Sequence, residues 1–370
     1  MKVTIIGAGN SGIAMAAHLS REGNEVTIWN GSRSTIEKLM KTKLIRCEGI
    51  IQGDIPVHDV TNDIGVALRD PDIVLITTPA NSHKEFAELI AKNIKKSTVI
   101  VLNPGRTFGA FEFRHVYEKF NDVHRQIIAE TQTIIYTCRK TAEDAVNVMA
   151  FKDSVWIAAL DTGDTVDSEI GQGQEVIGRL PSCIRGYFTP AESVVQTSMG
   201  NMGMVLHCAP LLLNSGWTEN TAYQYKYYHD GITPKISEFI EKIDEERMAA
   251  AKALGHPVES ARDWMIRTYG VTGNTLYECI HNNRAYSPIE APGSLNHRYI
   301  FEDIPYGLVP LEALGLKLGL DMSYTTLIID LAEKLLHVDF RGVGRNLEYL
   351  LTSSDKKRLR QIFEGKSHHE

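Results

Sequence analysis

The sequence has no paired cysteines. Its five cysteines, Cys47, Cys138, Cys183, Cys208 and Cys279, are odd in number, widely spaced and never set as CxxC. This argues against a disulfide framework or a zinc site and suits a reducing compartment, so a cytoplasmic location is expected. Long apolar runs are missing too: no spanning helix is expected, and Met1 leads directly into KVTII without a leader-like stretch. Basic blocks are also lacking. The net charge is −7, and 39 Lys and Arg are scattered among 46 Asp and Glu, so neither a nucleic acid nor a membrane is an expected partner. No metal site is expected; the closing SHHE is a two-histidine stub, too short to argue one. Internal repeats and low-complexity linkers are likewise missing.

What remains is a chain of 370 residues, 43% hydrophobic, long enough for two domains with a core each. In the first half short β-branched runs (KVTII, EVTIW, DIVLIT, STVIVL) alternate with helical spacing, as in HKEFAELIAKNI. Such alternation predicts a doubly wound, mostly parallel sheet with helices on both faces. QIIAE, TIIYTC and SVWIAAL continue the strands, while LIRCEGIIQGDIPV reads as a hairpin inserted on one edge. From about Thr189 the strands stop. TPKISEFIEKIDEERMAAAKALG predicts a helix with Thr233 as cap, Pro234 in its first position, Gly255 ending it, and an apolar stripe of Ile236, Phe239, Ile240, Ile243 and Leu254. TTLIIDLAEKLL, RNLEYLL and DKKRLRQIF are further helical candidates. The expected organisation is an α/β domain at 1–186 and an all-α domain at 187–370.

Gly7-Ala8-Gly9-Asn10-Ser11-Gly12 has the G-x-G-x-x-G form after a strand and before a helix. The first glycine allows the tight turn, the second lets backbone approach a pyrophosphate, and the third permits close packing of helix on strand. The next strand ends 17 residues after Gly12 at Trp29, where an NAD-type loop usually carries an acid for the ribose 2′-hydroxyl. Here the residues are Asn30-Gly31-Ser32-Arg33. With no carboxylate to repel a 2′-phosphate, and with Ser32 and Arg33 available to bind one, NADP(H) is expected in preference to NAD(H). Thr78, Pro79 and Ala80 follow another strand end and are expected to pass the cofactor ribose; a generic turn is an equal reading.

Two segments of the second half carry the most specific pattern: Asn201-x5-His207-x2-Pro210, and RYIFEDIPYGLVP at 298–310. With the glycine loop and the domain order, they make the chain resemble the opine dehydrogenase family, the NAD/NADP octopine and nopaline dehydrogenases. The resemblance implies a Rossmann domain followed by a helical domain. It also implies an NAD(P)H-dependent reductive condensation, in which an amino acid and a 2-oxo acid, pyruvate by default, form an imine that is then reduced. A homodimer is compatible with this reading.

By resemblance, His207 and Asp303 are the proton-handling pair, and Arg298 holds a substrate carboxylate. A group titrating near neutrality suits the chemistry, a carboxylate on the far ring nitrogen fixes the tautomer, and a guanidinium matches a carboxylate as a planar fork. By residue pattern alone, His207 reads more readily as a core histidine, and Asp303 and Arg298 can be read as a helix cap and half of a structural ion pair. Arg106 stands where relatives often carry a glutamine that helps hold the 2-oxo acid. Thr131 and Cys138, in a segment resembling the family's E-T…C-R stretch, are weaker substrate contacts. The tyrosine-rich YQYKYYHDG (223–231) fits packing better than a pocket or an oligomer contact. Two other functions stay open at this level: a related Rossmann-plus-helical enzyme acting on a C–O bond, and a dinucleotide-binding regulator without turnover.

Overall fold

Strand β1 (Lys2–Ile6) is buried along almost its whole length, and the next turn is set by Gly7, whose φ of +108° few side chains tolerate. The computed structural model describes residues 1–124, 126–160, 172–220, 222–353 and 355–364; the SHHE tail lies outside them. The chain divides into two units, Met1–Ser198 and Met199–Phe363, with Glu364 returning to the first.

In the first unit β1 pairs in parallel with β2 (Glu25–Trp29) on one side. The other strands are β3 (Leu44–Gly49), β4 (Gly53–Pro56), β5 (Asp59–Thr61), β6 (Ile73–Ile76), β7 (Val99–Leu102), β8 (Ile127–Thr131), β9 (Tyr136–Ala142), β10 (Ala145–Phe151), β11 (Val155–Ala159) and β12 (Phe188–Pro190). Eight of them form one sheet in the order β12-β11-β8-β7-β6-β1-β2-β5. It is parallel except where β11 meets β8. The order runs outward in both directions from β1 and β6, the switch point at which open parallel sheets bind ligands beside the strand ends. β6 and β7 are apolar at every position because helices cover both faces.

The segment around residues 44–57 departs from expectation. It is a hairpin, but it belongs to a separate four-stranded sheet, β4-β3-β10-β9, which also takes the TIIYTC strand. The reason lies in the alternation: Ile45 and Cys47 are buried, while Leu44, Arg46 and Glu48 face out. That is the pattern of a sheet covered on one face only. Its cover is the helix Asn10–Arg21, whose His18 bonds the Tyr136 hydroxyl at 3.1 Å and lies among Phe151 and Tyr187.

The second unit is helical. The helix Pro234–Ala253 starts where expected, with Thr233 Oγ1 accepting from the Ile236 N–H and Gly255 at φ +93° just beyond it. Its buried face is not the apolar stripe alone, because it carries Asp244, Glu246 and Arg247 as well. Arg247, fully buried, bonds Asp244 and the carbonyls of Met199 and Glu259. Glu246 accepts from the N–H groups of Tyr324 and Thr325. RNLEYLL is not a helix: Leu347 turns at φ +59°, and the Arg345 N–H is taken by the Pro305 carbonyl. No helix among the described residues is long and apolar enough to cross a membrane.

Candidate active site

The glycine loop is built for a close-approaching group. A Cβ on Gly12 would lie 1.9 Å from the Gly7 carbonyl oxygen, whereas one on Gly9 would meet nothing within 4 Å. The third glycine therefore packs helix against strand and the second leaves the backbone open, which fits a dinucleotide pyrophosphate at the first turn of Asn10–Arg21, where Ser11 also lies. Thr77 locks the turn by donating to the carbonyls of Ile6 and Gly7 at 3.1 and 3.2 Å. Thr78 packs against Gly7, Pro79 is exposed and Ala80 is buried.

Asn30 has a task of its own. Its Oδ1 accepts from the Ala8 N–H at 3.1 Å, and its Nδ2 donates to the Ser32 carbonyl at 3.0 Å. Ser32 Oγ pairs with Ser34 Oγ, and Arg33 opens a short 3-10 turn with its side chain exposed. The missing acid thus reflects an amide bracing the glycine loop. From the opposite side Lys140 donates through Nζ to the Ala8 carbonyl at 3.0 Å and through its backbone N–H to Asn10 Oδ1 at 2.8 Å. Cys138 Sγ lies 3.4 Å from the Asn10 carbonyl. Burial pushes the Cys138 thiol up to about 11, so it is a neutral group beside the loop.

Arg106 sits at φ +59° in the loop after β7. Lys152, which sequence reasoning missed, is held below its ordinary value, first by burial and then by the Arg106 guanidinium. Thr131 donates to Asn103 Oδ1 at 3.1 Å, at the start of the same loop. Glu130, fully buried, accepts from the Ala110 N–H and from the Thr197 and Ser198 hydroxyls.

In the second unit, Asn201 caps the helix Met202–Leu206 by accepting from the Gly203 N–H, and His207 follows where that helix breaks. The polypeptide at 303–308 forms a wide π-type turn. Gly307 is needed there, since a Cβ would come within 2.7 Å of Met204 Cβ. This close approach brings Asp303 to His207: Nδ1 lies 2.8 Å from Asp303 Oδ2, with the carboxylate side chain 1% exposed and the imidazole 18%. Asp303 makes no side-chain helix cap. Tyr299 stacks on the imidazole at 3.9 Å between centroids and 13° between planes. Tyr227 donates to the His207 carbonyl, and Tyr228 Oη lies 3.1 Å from His207 Nε2.

Arg298 is one turn away. It bonds Glu302 through Nε at 3.0 Å and through Nη2, and its side chain is 57% exposed. So the histidine and aspartate meet, whereas the arginine is tied to a neighbouring acid. Of the groups sequence reasoning missed, Tyr299 lies inside the quoted RYIFED run, and Tyr228 lies in the tyrosine-rich stretch judged to be packing. Lys140 had no signal beyond following Cys138 by two residues on an alternating strand. Among the described residues, no group of His, Cys, Asp or Glu is placed to hold a metal ion.

Fold and loop together define a two-unit protein of dinucleotide-binding form, a Rossmann unit followed by a helical unit. The model of the NAD/NADP octopine/nopaline dehydrogenase helical domain matches residues 190–336, and that of the NAD-dependent glycerol-3-phosphate dehydrogenase N-terminus matches residues 2–107. An opine dehydrogenase of Arthrobacter sp. (strain 1C) is 36% identical over 348 residues, 94% of each chain. The chain therefore belongs to the opine dehydrogenase family, whose reaction is the NAD(P)H-dependent reductive condensation of an amino acid with a 2-oxo acid. This sets aside both the C–O reductase and the regulator. Octopine dehydrogenase solved with NADH and agmatine has the same fold, with a TM-score of 0.78 at 19% identity, covering 100% of this chain and 99% of that one.

The expected preference for NADP(H) is corrected. Octopine dehydrogenase is solved with NADH alongside agmatine, L-arginine or pyruvate. NADP+ is bound in yersinopine dehydrogenase, a more distant match with a TM-score of 0.69 at 14% identity, covering 99% of this chain and 98% of that one. The physical error was to read a missing acid as an invitation to a 2′-phosphate, when Asn30 serves the loop and Ser32 is engaged locally.

Proposed function

We propose that this chain joins the amino group of an amino acid to C2 of a 2-oxo acid, with His207 and Asp303 moving the protons and NADH as reductant. His207 takes a proton from the substrate ammonium, freeing the amine to attack the 2-oxo carbon. It returns a proton to the hydroxyl that leaves as water, giving the imine. Asp303 stabilises the imidazolium and keeps the proton on Nδ1 of the neutral ring. NADH, when bound, supplies the hydride that reduces the imine carbon. Gly7, Gly9, Asn10, Ser11 and Gly12 hold its phosphates, and Asn30 and Thr78 to Ala80 line its ribose side. Arg298 binds a carboxylate of the joined substrates, and Arg106, with Lys152 beside it, binds that of the 2-oxo acid, with Thr131 and Cys138 bordering it. Pyruvate is the first 2-oxo acid to try, because octopine dehydrogenase is solved with it.

Division of labour follows 1–186 for the cofactor and 187–370 for proton chemistry. Five free cysteines support a cytoplasmic setting. The observation that carries the reading is the 2.8 Å His207–Asp303 pair, with its buried carboxylate. A matrix of amino acids against 2-oxo acids, read by NADH absorbance and product mass, tests it. The expected result is NADH oxidation only when both substrates are present, with a secondary amine dicarboxylate as product. Oxidation with the 2-oxo acid alone would overturn it.

A further inference from the structure

The glycine loop is held from one side by β9, a strand of the second sheet. Cys138 and Lys140 lie two residues apart on it, a spacing that puts their side chains on one face. Lys140 meets the loop twice, through its backbone N–H to Asn10 Oδ1 at 2.8 Å and through Nζ to the Ala8 carbonyl at 3.0 Å. Cys138 Sγ donates to the Asn10 carbonyl at 3.4 Å. Asn30 takes the Ala8 N–H at 3.1 Å, so both polar groups of Ala8 are committed. The next N–H, that of Gly9, has no protein acceptor among the described residues and lies where an added Cβ would touch nothing.

Lys140 is half-buried, and among the described residues its ammonium forms no ion pair. Glu143 and Asp144 attract it only from a distance, and burial outweighs them to hold it below its ordinary value. Both acids are engaged elsewhere: Asp144 pairs with Lys38 and Arg46, and Glu143 accepts from the Lys38 and Leu39 N–H groups. A half-buried cation without a carboxylate is costly unless another anion comes to it.

We propose that Lys140 is a positioning residue of the cofactor site, a cation from the second sheet that aims the Gly9 N–H at the dinucleotide pyrophosphate and offsets part of its charge. The aim follows from planarity. The Ala8 C=O and the Gly9 N–H belong to one peptide unit and point opposite ways, so an ammonium on the oxygen fixes the direction of the N–H. It also polarises that peptide, which makes the N–H a stronger donor. The proposal rests on the glycine loop as the pyrophosphate site and goes beyond it, because Gly7 to Gly12 contain no cation.

The test uses the full-length protein and three ligands: NADH, ADP-ribose, which keeps the pyrophosphate, and adenosine, which has no phosphate. Lys140→Met keeps the apolar stem and removes the charge. NADH binding is read by fluorescence, and the other two by competition against it. NADH and ADP-ribose should both weaken at least about tenfold, the loss expected of a hydrogen bond to a charged group. Adenosine should bind as before, the loss should appear in KM for NADH and not in kcat, and Lys140→Arg should restore most of the affinity. Unchanged NADH binding would overturn the proposal. So would an equal loss for adenosine, which would mean that the loop had lost its shape, or an arginine no better than methionine. Should Lys140→Met fail to fold, Lys140→Gln keeps a donor for the Ala8 carbonyl without the charge, and the same selective loss is required of it. Gly9→Ala separates the two claims. If it weakens NADH while Lys140→Met does not, only the role of Lys140 fails; if both bind NADH normally, the glycine loop is not the pyrophosphate site either.

Discussion

Asn30 and Gly12 show how much a single residue type can say and how it can mislead. The glycine loop was legible because each glycine answers a steric demand, and the demands differ. Gly12→Ala puts a methyl group onto the Gly7 backbone, so it should lower both the melting temperature and NADH affinity. Gly9→Ala meets no protein atom within 4 Å, so the fold should hold while NADH affinity falls by tenfold or more, on the order expected where a side chain enters pyrophosphate space. Parallel thermal melts and fluorescence titrations separate the two; a Gly9→Ala enzyme that binds NADH normally would put the pyrophosphate elsewhere. Asn30 was read from what it lacks, and its actual bond to the Ala8 N–H cannot be inferred from a strand-end position. His207→Ala should lower kcat by ~10²–10⁴ while NADH affinity stays as it was, since the residue lies outside the glycine loop. A loss of under tenfold would remove His207 from proton transfer.

At the level of elements, the parallel sheet and the long helix were written in periodicity, and the second sheet was written there too but assigned wrongly. Its strands alternate, which predicts one covered face, yet alternation does not say which sheet a strand joins. Periodicity also misassigns charge by construction, since it sends Asp244, Glu246 and Arg247 to the surface, where the helix Pro234–Ala253 in fact buries them. The pair is structural: Arg247 ties the helix to two backbone carbonyls, and Asp244 accepts from the Ala261 N–H. Asp244→Ala leaves a buried guanidinium without its carboxylate and should cost about 3–5 kcal/mol. Chemical denaturation with far-UV dichroism measures it. A cost under about 1 kcal/mol, the range of exposed pairs, would mean the network is wet.

Across the molecule, acid should act in two stages, and the order follows from which groups the fold shifts. His18, His115 and His297 are all held below the ordinary histidine value, in each case first by burial. Below pH ~6.5 the unfolded chain then binds protons that the folded chain refuses, so stability falls as pH drops, until the folded pKa is passed. Asp144 behaves in the opposite chemical sense with the same outward sign. Burial pushes its carboxyl up, but hydrogen bonds from Arg46 and Lys38 outweigh that and leave it depressed, so its contribution is intact above pH ~4 and is lost only below. The first stage is expected to run chiefly through His18, which is 4% exposed on the helix Asn10–Arg21 and packs against Tyr136 and Phe151 of the second sheet and against Tyr187. None of this was legible from a histidine in the middle of AMAAHLSREG, because the burial comes from strands more than a hundred residues away. The melting temperature should therefore decline from pH 7 to pH 5, and His18→Phe, which keeps a ring among rings, should flatten that decline while leaving the steeper loss below pH 4. A variant whose melting temperature still falls as much as the parent's between pH 7 and 5 would show that the first stage resides in His115, His297 or another group.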